Sequence, residues 1–263
     1  MRFKRFLFVL ILIVSCTKKN DYGHIMVIGH GGMGLEQMMS IYHDNSFEAI
    51  DLALQFPGIN GCEVDVQMDS DGELWLCHDV DLSSALGVDT SIPECHTSFL
   101  EELVYQTIHE EKLCKLRDVI HLFDHSMQLF IDVKSYNQSS GIIVDPDLLK
   151  EALDDALIGA ACQVSVILLN EAWLPCFVSN YQTYLDADTK SSMDSNLSLY
   201  PDLSGFVVRS EALSRSEIEE YKSQGYKVFL YEMRSPKGIR MALDKNPNGI
   251  IPDDIRRALV ESR

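Results

Sequence analysis

The feature that most constrains the fold of this chain is a regular alternation of short β-rich runs with segments of helical periodicity. Such alternation is typical of a parallel sheet wrapped by helices. The β-rich runs cover residues 24–29, 62–67, 73–77, 129–134, 164–169, 183–185, 205–208, 227–230 and 249–251. A closed barrel needs eight strands, one or two fewer than these runs supply, and 183–185 is the weakest of them. We therefore predict an α/β barrel that forms a single domain over residues 24–263.

Several helix starts are marked by capping residues. Asn45, followed three residues later by Glu48, predicts a capping box ahead of a helix. Asp145 precedes a proline at the favoured first helical position and predicts a helix that ends near residue 157. Ser214 and Ser235 predict two further helix starts in the C-terminal half.

The remaining segments predict turns and loops. The Asp-Ser-Asp-Gly sequence at 69–72 lacks the other ligands of a calcium loop, and Asp-Gly between two β-rich runs is a hairpin signal. The polar segment 189–201 predicts a loop. The less regular region 79–123 predicts a long excursion, placed where a barrel would cover its site.

The N-terminal residues predict export rather than part of the fold. A basic start precedes an apolar run at 6–14, which is far shorter than the roughly 20 residues that cross a bilayer. The ending Ile-Val-Ser-Cys at 13–16 is similar to a bacterial lipobox. We therefore predict a lipoprotein signal peptide over 1–16, lipidation of Cys16, and a tether over 17–23. The expected location is the bacterial cell envelope, facing the periplasm or the outside; an ordinary signal peptide or an uncleaved anchor is the alternative.

Composition excludes some classes of partner. Forty acidic residues against 22 lysines and arginines give a net charge of −18, which argues against nucleic acid and against electrostatic binding to anionic lipid. A small substrate held by a cation fits this charge better. Six cysteines follow Cys16 without any Cys-x-x-Cys pair, and their apolar surroundings favour buried thiols, although an even number in an exported protein also permits disulfides.

Charged and imidazole side chains stand at the ends of the first β-rich runs. In α/β barrels the active site lies at the carboxyl ends of the strands. Residues two apart on a strand share a face, so Glu63 accompanies Asp65 and Asp132 accompanies Lys134. Each has an ordinary structural explanation, but together they predict one shared rim. The converging residues are His30, Glu63, Asp65, His78, Asp132 and Lys134.

The chemistry of this set fits phosphodiester cleavage. Three carboxylates are ligands that suit a hard divalent cation, Ca²⁺ or Mg²⁺, which would polarise phosphoryl oxygens. His30 and His78 would act as the acid–base pair. Lys134 would add a point charge to the phosphate or fix the acidic cluster.

Several motifs occur in an order that resembles a known family. They are Val-Ile-Gly-His-Gly-Gly at 27–32, Asn-Ser-Phe-Glu-Ala-Ile at 45–50, Glu-Val-Asp-Val at 63–66, Asp-Gly at 71–72, His-Asp at 78–79, Phe-Ile-Asp-Val-Lys at 130–134 and Gly-Ile-Ile-Pro-Asp at 249–253. Their order and spacing resemble the signature of glycerophosphodiester phosphodiesterases. The resemblance runs from about residue 25 to 254 and is densest over 30–79.

The resemblance implies a TIM (β/α)8 barrel. It implies that His30 and His78 are catalytic and that Glu63, Asp65 and Asp132 hold the metal. It matches Asn45 to a polar residue near the site, and we expect Asn45, with Lys134 and Arg209, to bind substrate or phosphate. The implied reaction hydrolyses glycerophosphodiesters to glycerol 3-phosphate and an alcohol, through attack of the glycerol hydroxyl on phosphorus and a cyclic intermediate.

The sequence departs from the family pattern at several points. The usual arginine after the first histidine is Gly31, so a bidentate phosphate donor is missing there. Arg209 or Arg234, each after a late strand, could replace it. Asp132 stands where glutamate is usual, Pro252 stands where threonine is usual, and a late tryptophan-threonine pair is absent.

Two other functions remain open at this stage. A phospholipase-like relative that cleaves lysolipid or sphingolipid head groups would need an apolar lip around the site. A non-catalytic binding lipoprotein would keep the barrel and the metal but lose turnover with the missing arginine.

Overall fold

The strands form where the β-rich runs predict them. The computed structural model describes residues 22–34, 41–135 and 144–263, so the predicted signal peptide, Cys16 and most of the tether lie outside the described residues. The described strands are β1 Met26–Gly29, β2 Gly61–Met68, β3 Leu74–Leu76, β4 Cys114–Lys115, β5 Gln128–Val133, β6 Gln163–Leu168, β7 Gln182–Asp186, β8 Gly205–Arg209, β9 Lys227–Tyr231 and β10 Gly249–Ile251.

Eight parallel strands close into a barrel. β1 pairs in parallel with both β10 and β2, and the order then runs from β2 through β5, β6, β7, β8 and β9 to β10. The weakest predicted run, 183–185, is the centre of β7, a full member of the barrel. The predicted TIM barrel is therefore confirmed.

The run 73–77 is a strand but not a barrel strand. β3 pairs antiparallel with the end of β2 and carries β4 on its other edge. This hairpin explains why the sequence predicts one β-rich run more than the eight strands of the barrel. The turn at 69–72 is confirmed, with the Asp69 carboxylate accepting hydrogen bonds from the backbone N–H groups of Asp71 and Glu73.

Helices follow most of the barrel strands. They are α1 Phe47–Leu54, α2 Ser83–Leu86, α3 Thr97–Leu100, α4 Leu116–Val119, α5 Pro146–Ala156, α6 Leu174–Phe177, α7 Lys190–Leu199, α8 Arg215–Ser223, α9 Pro236–Asp244 and α10 Ile255–Glu261, with 3₁₀ turns at Ile92–Glu94, Ile120–Leu122 and Glu171–Trp173. The predicted N-caps of α5, α8 and α9 are confirmed.

Two local predictions are wrong. The segment 189–201 is helical, because the Thr189 hydroxyl caps α7 by accepting from the Ser192 N–H and the side chain of Met193 packs into the core. The cap of α1 is Ser46, whose hydroxyl accepts from the Ala49 N–H. Asn45 is therefore left outside the predicted capping box, with its side chain available to the site.

The hydrophobic core has two main layers and one outlying cluster. Inside the barrel, Phe130, Tyr184 and Phe229 pack against one another. Between barrel and helices lies the larger layer, to which β2 contributes Val64 and Val66. Alternation along β2 consequently turns its polar residues toward the barrel interior. The excursion 79–123 has its own core, built around Trp75 of β3 and Tyr105, Leu82 and Leu100.

The described cysteines are free thiols. Cys62, Cys77, Cys95 and Cys114 are buried, and Cys162 and Cys176 are partly exposed. Burial raises the pKa values of the Cys62 and Cys77 thiols well above the ordinary range, so these side chains act as small apolar groups. The prediction of buried thiols is confirmed for four of the six.

Candidate active site

A cavity of about 570 Å³ opens at the carboxyl ends of the barrel strands. This is the rim where α/β barrels place their chemistry. Its walls carry all but one of the predicted site residues. The lining residues are His30, His43, Asp44, Glu63, Asp65, His78, Asp79, Asp132, Lys134, Ile167, Asp186, Val207, Arg209, Tyr231, Glu232, Arg234, Ile251 and Asp253.

Three carboxylates from neighbouring strands form a cluster in this cavity. Asp65 on β2 lies opposite Asp132 on β5 in the parallel register, and Glu63 precedes Asp65 on the same face. One oxygen from each of Glu63, Asp65 and Asp132 lies within 4.8 Å of the others. The sequence prediction that these acids converge is confirmed.

Lys134 forms ion pairs with two of the three acids. Its Nζ lies 2.6 Å from an oxygen of Asp65 and 2.6 Å from an oxygen of Asp132. Burial disfavours its charge, but the two carboxylates outweigh burial and hold the pKa of Lys134 well above its ordinary value. Burial likewise opposes ionisation of Asp65, and Lys134 outweighs it, so the pKa of Asp65 is lowered. Of the two predicted roles for Lys134, the contacts match fixing the acidic cluster.

Glu63 is the acid of the cluster that forms no ion pair with Lys134 among the described residues. Burial, followed by repulsion from Asp65, raises the pKa of Glu63 to about 8. Its Oε2 accepts a hydrogen bond from the Gly31 N–H at 3.0 Å. A buried set of three carboxylates with a single lysine has an unmet demand for positive charge, and its all-oxygen donor set is the one that hard divalent cations prefer.

His30 is oriented by a buried aspartate. Its Nδ1 lies 2.7 Å from Oδ1 of Asp253, which follows β10, the barrel neighbour of β1. Burial lowers the pKa of His30, but the hydrogen bond to Asp253 and the nearby Glu63 outweigh it, so the pKa is raised. With Nδ1 engaged, Nε2 is the nitrogen left for proton exchange. Sequence reasoning placed Asp253 only in the closing strand motif and missed this pairing.

His78 reaches the cavity by a different route from the one predicted. It does not end a barrel strand; β3 runs back antiparallel along β2, and the Cys77 N–H donates to the Asp65 carbonyl at 3.0 Å. The imidazole Nδ1 lies 3.4 Å from Asp79 Oδ1 and the ring is half exposed. The hydrogen bond to Asp79 raises the pKa of His78 to about 9 against the opposing effect of burial.

Asn45 lies behind the acids rather than in the cavity wall. It is fully buried, its Nδ2 donates to Asp65 Oδ2 at 2.8 Å, and its Oδ1 accepts from the Asp65 N–H at 2.9 Å. The backbone of Asn45 has a φ of +61°, a conformation that asparagine tolerates better than most residues. Asp65 therefore engages both ends of the Asn45 amide, and the expected contact of Asn45 with substrate or phosphate stays a prediction.

The two candidate replacements for the missing arginine both line the cavity. Arg209 is held by Glu232, with Nη1 to Oε2 at 2.6 Å, and lies over the ring of Tyr231. Arg234 is more exposed, with Nε 3.6 Å from Asp253 Oδ2. Beside His30 the cavity therefore carries the guanidinium of Arg234, from the loop after β9, in place of an arginine at residue 31.

Two further lining residues connect the site to the excursion 79–123. The ring of His43 stacks on Tyr105 with centroids 3.7 Å apart, and the His43 N–H donates to Glu111 at 3.0 Å. The neighbouring Asp44 is a buried carboxylate whose pKa is raised by burial. The excursion therefore braces the loop before α1, a role that no motif in the sequence signals.

The comparisons with known proteins agree with this geometry. The model of the glycerophosphoryl diester phosphodiesterase family matches residues 30–158, a stretch that contains both histidines, the three clustered carboxylates and Lys134. No curated protein sequence matches the chain.

Solved structures share the fold at low sequence identity. An Oleispira antarctica phosphodiesterase, solved in complex with the product sn-glycerol-3-phosphate, aligns with a TM-score of 0.74 and 18% identity over 90% of this chain and 96% of that chain. The glycerophosphodiester phosphodiesterase of Thermotoga maritima aligns with a TM-score of 0.71 and 19% identity over 91% and 99%. One from Parabacteroides distasonis gives 0.69 and 17% over 90% and 97%.

The stretch that matches the family model contains the histidines and the clustered carboxylates that the barrel brings to one cavity. Residues 30–158 of this chain belong to the glycerophosphoryl diester phosphodiesterase family, and the chain is a phosphoric diester hydrolase.

Proposed function

We propose that this enzyme hydrolyses glycerophosphodiesters to glycerol 3-phosphate and an alcohol, with His30 and His78 as the acid–base pair. The observation that carries the proposal is the placement of both imidazoles and the acidic cluster around one cavity. The family match and the glycerol phosphate in the Oleispira enzyme support the substrate class.

The acidic cluster is the proposed metal site. Glu63, Asp65 and Asp132 would hold one divalent cation, Ca²⁺ or Mg²⁺, since their oxygens converge and their charge exceeds what Lys134 balances. When bound, such a cation would polarise the phosphoryl oxygens and offset their charge. Asn45 would keep Asp65 aimed at this site by bonding its backbone and its carboxylate.

The histidines would divide the proton transfers. His30, oriented by Asp253, would take the proton of the glycerol hydroxyl as that oxygen attacks phosphorus, and its raised pKa makes it a stronger acceptor. His78, protonated at neutral pH because of Asp79, would donate a proton to the departing alcohol oxygen. Water would then open the resulting cyclic phosphate, with the two histidines in exchanged roles.

Removal of either histidine tests this assignment. We expect His30→Ala and His78→Ala each to lower kcat by about 10²–10⁴, because general acid–base catalysis contributes this much. The assay would follow the phosphomonoester product, with metal or with chelator. That product is glycerol phosphate from glycerophosphoethanolamine and glycerophosphocholine, and acylglycerol phosphate or the phosphorylated head group from lysophospholipids. The control is His125→Ala, since His125 is exposed and lies beyond the barrel's opposite end, before β5.

Three results of this assay would contradict the proposal. Full activity in both site variants would contradict the assignment of His30 and His78 as the acid–base pair. Faster turnover of lysophospholipids than of water-soluble diesters would favour the phospholipase-like function. Binding of the metal without turnover of any diester would favour a non-catalytic binding protein.

Metal binding should depend on pH through Glu63. The pKa of Glu63 is raised to about 8 in the metal-free protein, and a carboxylate must lose its proton to bind a metal. We therefore expect the affinity for Mg²⁺ or Ca²⁺ to rise about tenfold per pH unit up to pH 8 and then to level off. Calorimetry in two buffers of different ionisation enthalpy should show release of up to one proton at pH 7. Equal affinity at pH 6 and pH 8 would contradict this, and Glu63→Gln should bind weakly at every pH.

The phosphate would be held from the other side by the late-strand arginines, together with Lys134 at the cluster. We expect Arg209→Ala or Arg234→Ala to raise KM about tenfold with a smaller effect on kcat, as loss of one charged hydrogen bond does. Arg256→Ala on the exposed face of α10 is the control. Unchanged KM in both site variants would show that neither arginine replaces the one missing at Gly31.

We also propose that the enzyme is a lipid-anchored protein of the bacterial cell envelope, linked to the membrane through Cys16. The support is the basic start, apolar run and lipobox-like ending of residues 1–16. No helix among the described residues has the length and hydropathy to cross a membrane. Incorporation of a labelled fatty acid by the full chain but not by Cys16→Ala would test the anchor, and equal labelling of both would contradict it.

A further inference from the structure

A carboxylate on the far wall of the cavity has no role in the proposed mechanism. Asp186 is the last residue of β7 and lies two residues beyond Tyr184, whose ring packs inside the barrel. Alternation therefore turns Asp186 inward, where it lines the cavity. Its two carboxylate oxygens lie 3.2 and 3.4 Å from the hydroxyl of Tyr231, which donates to them.

This carboxylate lacks a positive partner in the part of the chain that the structure describes. Two cations of the same cavity are engaged elsewhere: Arg209 on the neighbouring β8 is bound to Glu232, and Lys134 after β5 is bound to Asp65 and Asp132. Burial, followed by repulsion from Asp132, raises the pKa of Asp186 to about 7. Any positive group that entered the cavity beside Asp186 would stabilise its charged form.

The rest of the cavity fits a short cationic group. Eight carboxylates line it, against three lysine and arginine side chains, so its field favours cations even after one divalent ion is bound. On the strands that flank β7, apolar Ile167 of β6 and Val207 of β8 line the cavity at the top of the barrel interior. A two-carbon chain that ends in an ammonium group matches an apolar wall followed by a carboxylate and a tyrosine hydroxyl.

We propose that Asp186 binds the ammonium group of the departing alcohol, and that the preferred substrates are glycerophosphodiesters of amino alcohols such as ethanolamine. This inference rests on the proposed function and names its substrate class. In this arrangement the metal cluster and the arginines hold the phosphate, and Asp186 with Tyr231 holds the other end of the leaving group. Asp186 is thus a specificity residue and takes no part in the proton transfers.

A matched pair of substrates tests the proposal. Glycerophosphoethanolamine and glycerophospho(2-hydroxyethanol) have the same chain length and differ by an ammonium against a hydroxyl group. We expect the wild-type enzyme to have a kcat/KM about tenfold higher for the first, the ratio that a partly buried ion pair provides. Asp186→Asn keeps the shape of the side chain. We expect this variant to lower kcat/KM for glycerophosphoethanolamine alone, so that the ratio of kcat/KM values for the two substrates falls close to one.

The controls separate this inference from the proposed function. Asp202→Asn removes an exposed carboxylate at the turn before β8, so it changes the net charge equally and should leave the ratio at its wild-type value. Wild-type activity of Asp186→Asn on the hydroxyl substrate shows that the variant is folded. A wild-type ratio near one, or an equal loss on both substrates in Asp186→Asn, would overturn the inference while leaving the hydrolase intact. Absence of turnover of either substrate by the wild-type enzyme would overturn the proposed function itself.

Discussion

The site depends on how the buried carboxylate of Asp65 is held. Asp65 accepts from Asn45 and pairs with Lys134, and its own N–H donates to Asn45. An isolated charge in this position would be strongly unfavourable, and breaking a buried pair costs on the order of 3–5 kcal/mol. Because these partners come from the loop before α1 and from β5, the carboxylate also fixes how those segments sit against β2.

Strand order and chain reversal bring the two histidines to the acids from different parts of the chain. Closure of the barrel makes β10 the neighbour of β1, and Asp253 thereby meets His30 across more than 220 positions of sequence. The β2–β3 hairpin folds back on the end of β2, and His78 thereby returns to the level of Asp65. One imidazole is rigidly paired and mostly buried, whereas the other is half exposed beside Asp79. Their surroundings therefore suit different steps of proton transfer.

The far wall of the cavity, around Asp186, is built differently from the wall that carries the acidic cluster. The wall with the acidic cluster carries three carboxylates and a lysine, so its charge is partly balanced within the protein. On the far wall, Arg209 is bound by Glu232, and among the described residues Tyr231 alone donates a side-chain hydrogen bond to Asp186. A substrate that spans both walls would therefore meet two distinct electrostatic environments, which we propose receive its phosphate and its alcohol. The departures from the family pattern at Gly31 and Asp132 concern the first, and Asp186 concerns the second.

The sequence by itself determined the class of fold and the set of chemical groups. Alternating β-rich and helical segments predict the barrel, and the two-residue spacing of Glu63 with Asp65 and of Asp132 with Lys134 predicts a shared inner face, because side-chain direction along a strand is a local property. Caps such as Asp145 and Ser214 are equally local and were predicted. Two local predictions failed because a tertiary contact outweighed the local signal. The loop predicted at 189–201 forms a helix that burial of Met193 stabilises, and the cap predicted at Asn45 is absent because its amide is bonded to Asp65.

Only the tertiary structure decided which residues meet. The pairing of His30 with Asp253, the return of His78 through an antiparallel hairpin, and the stacking of His43 on Tyr105 depend on strand order and chain reversal. Within the described residues, Asp186 forms no ion pair, and this too follows from three-dimensional placement, since Arg209 and Lys134 line the same cavity but are bound by other acids. A sequence lists the charges that a chain carries, but the folded barrel decides which of them are balanced and which are left for a ligand.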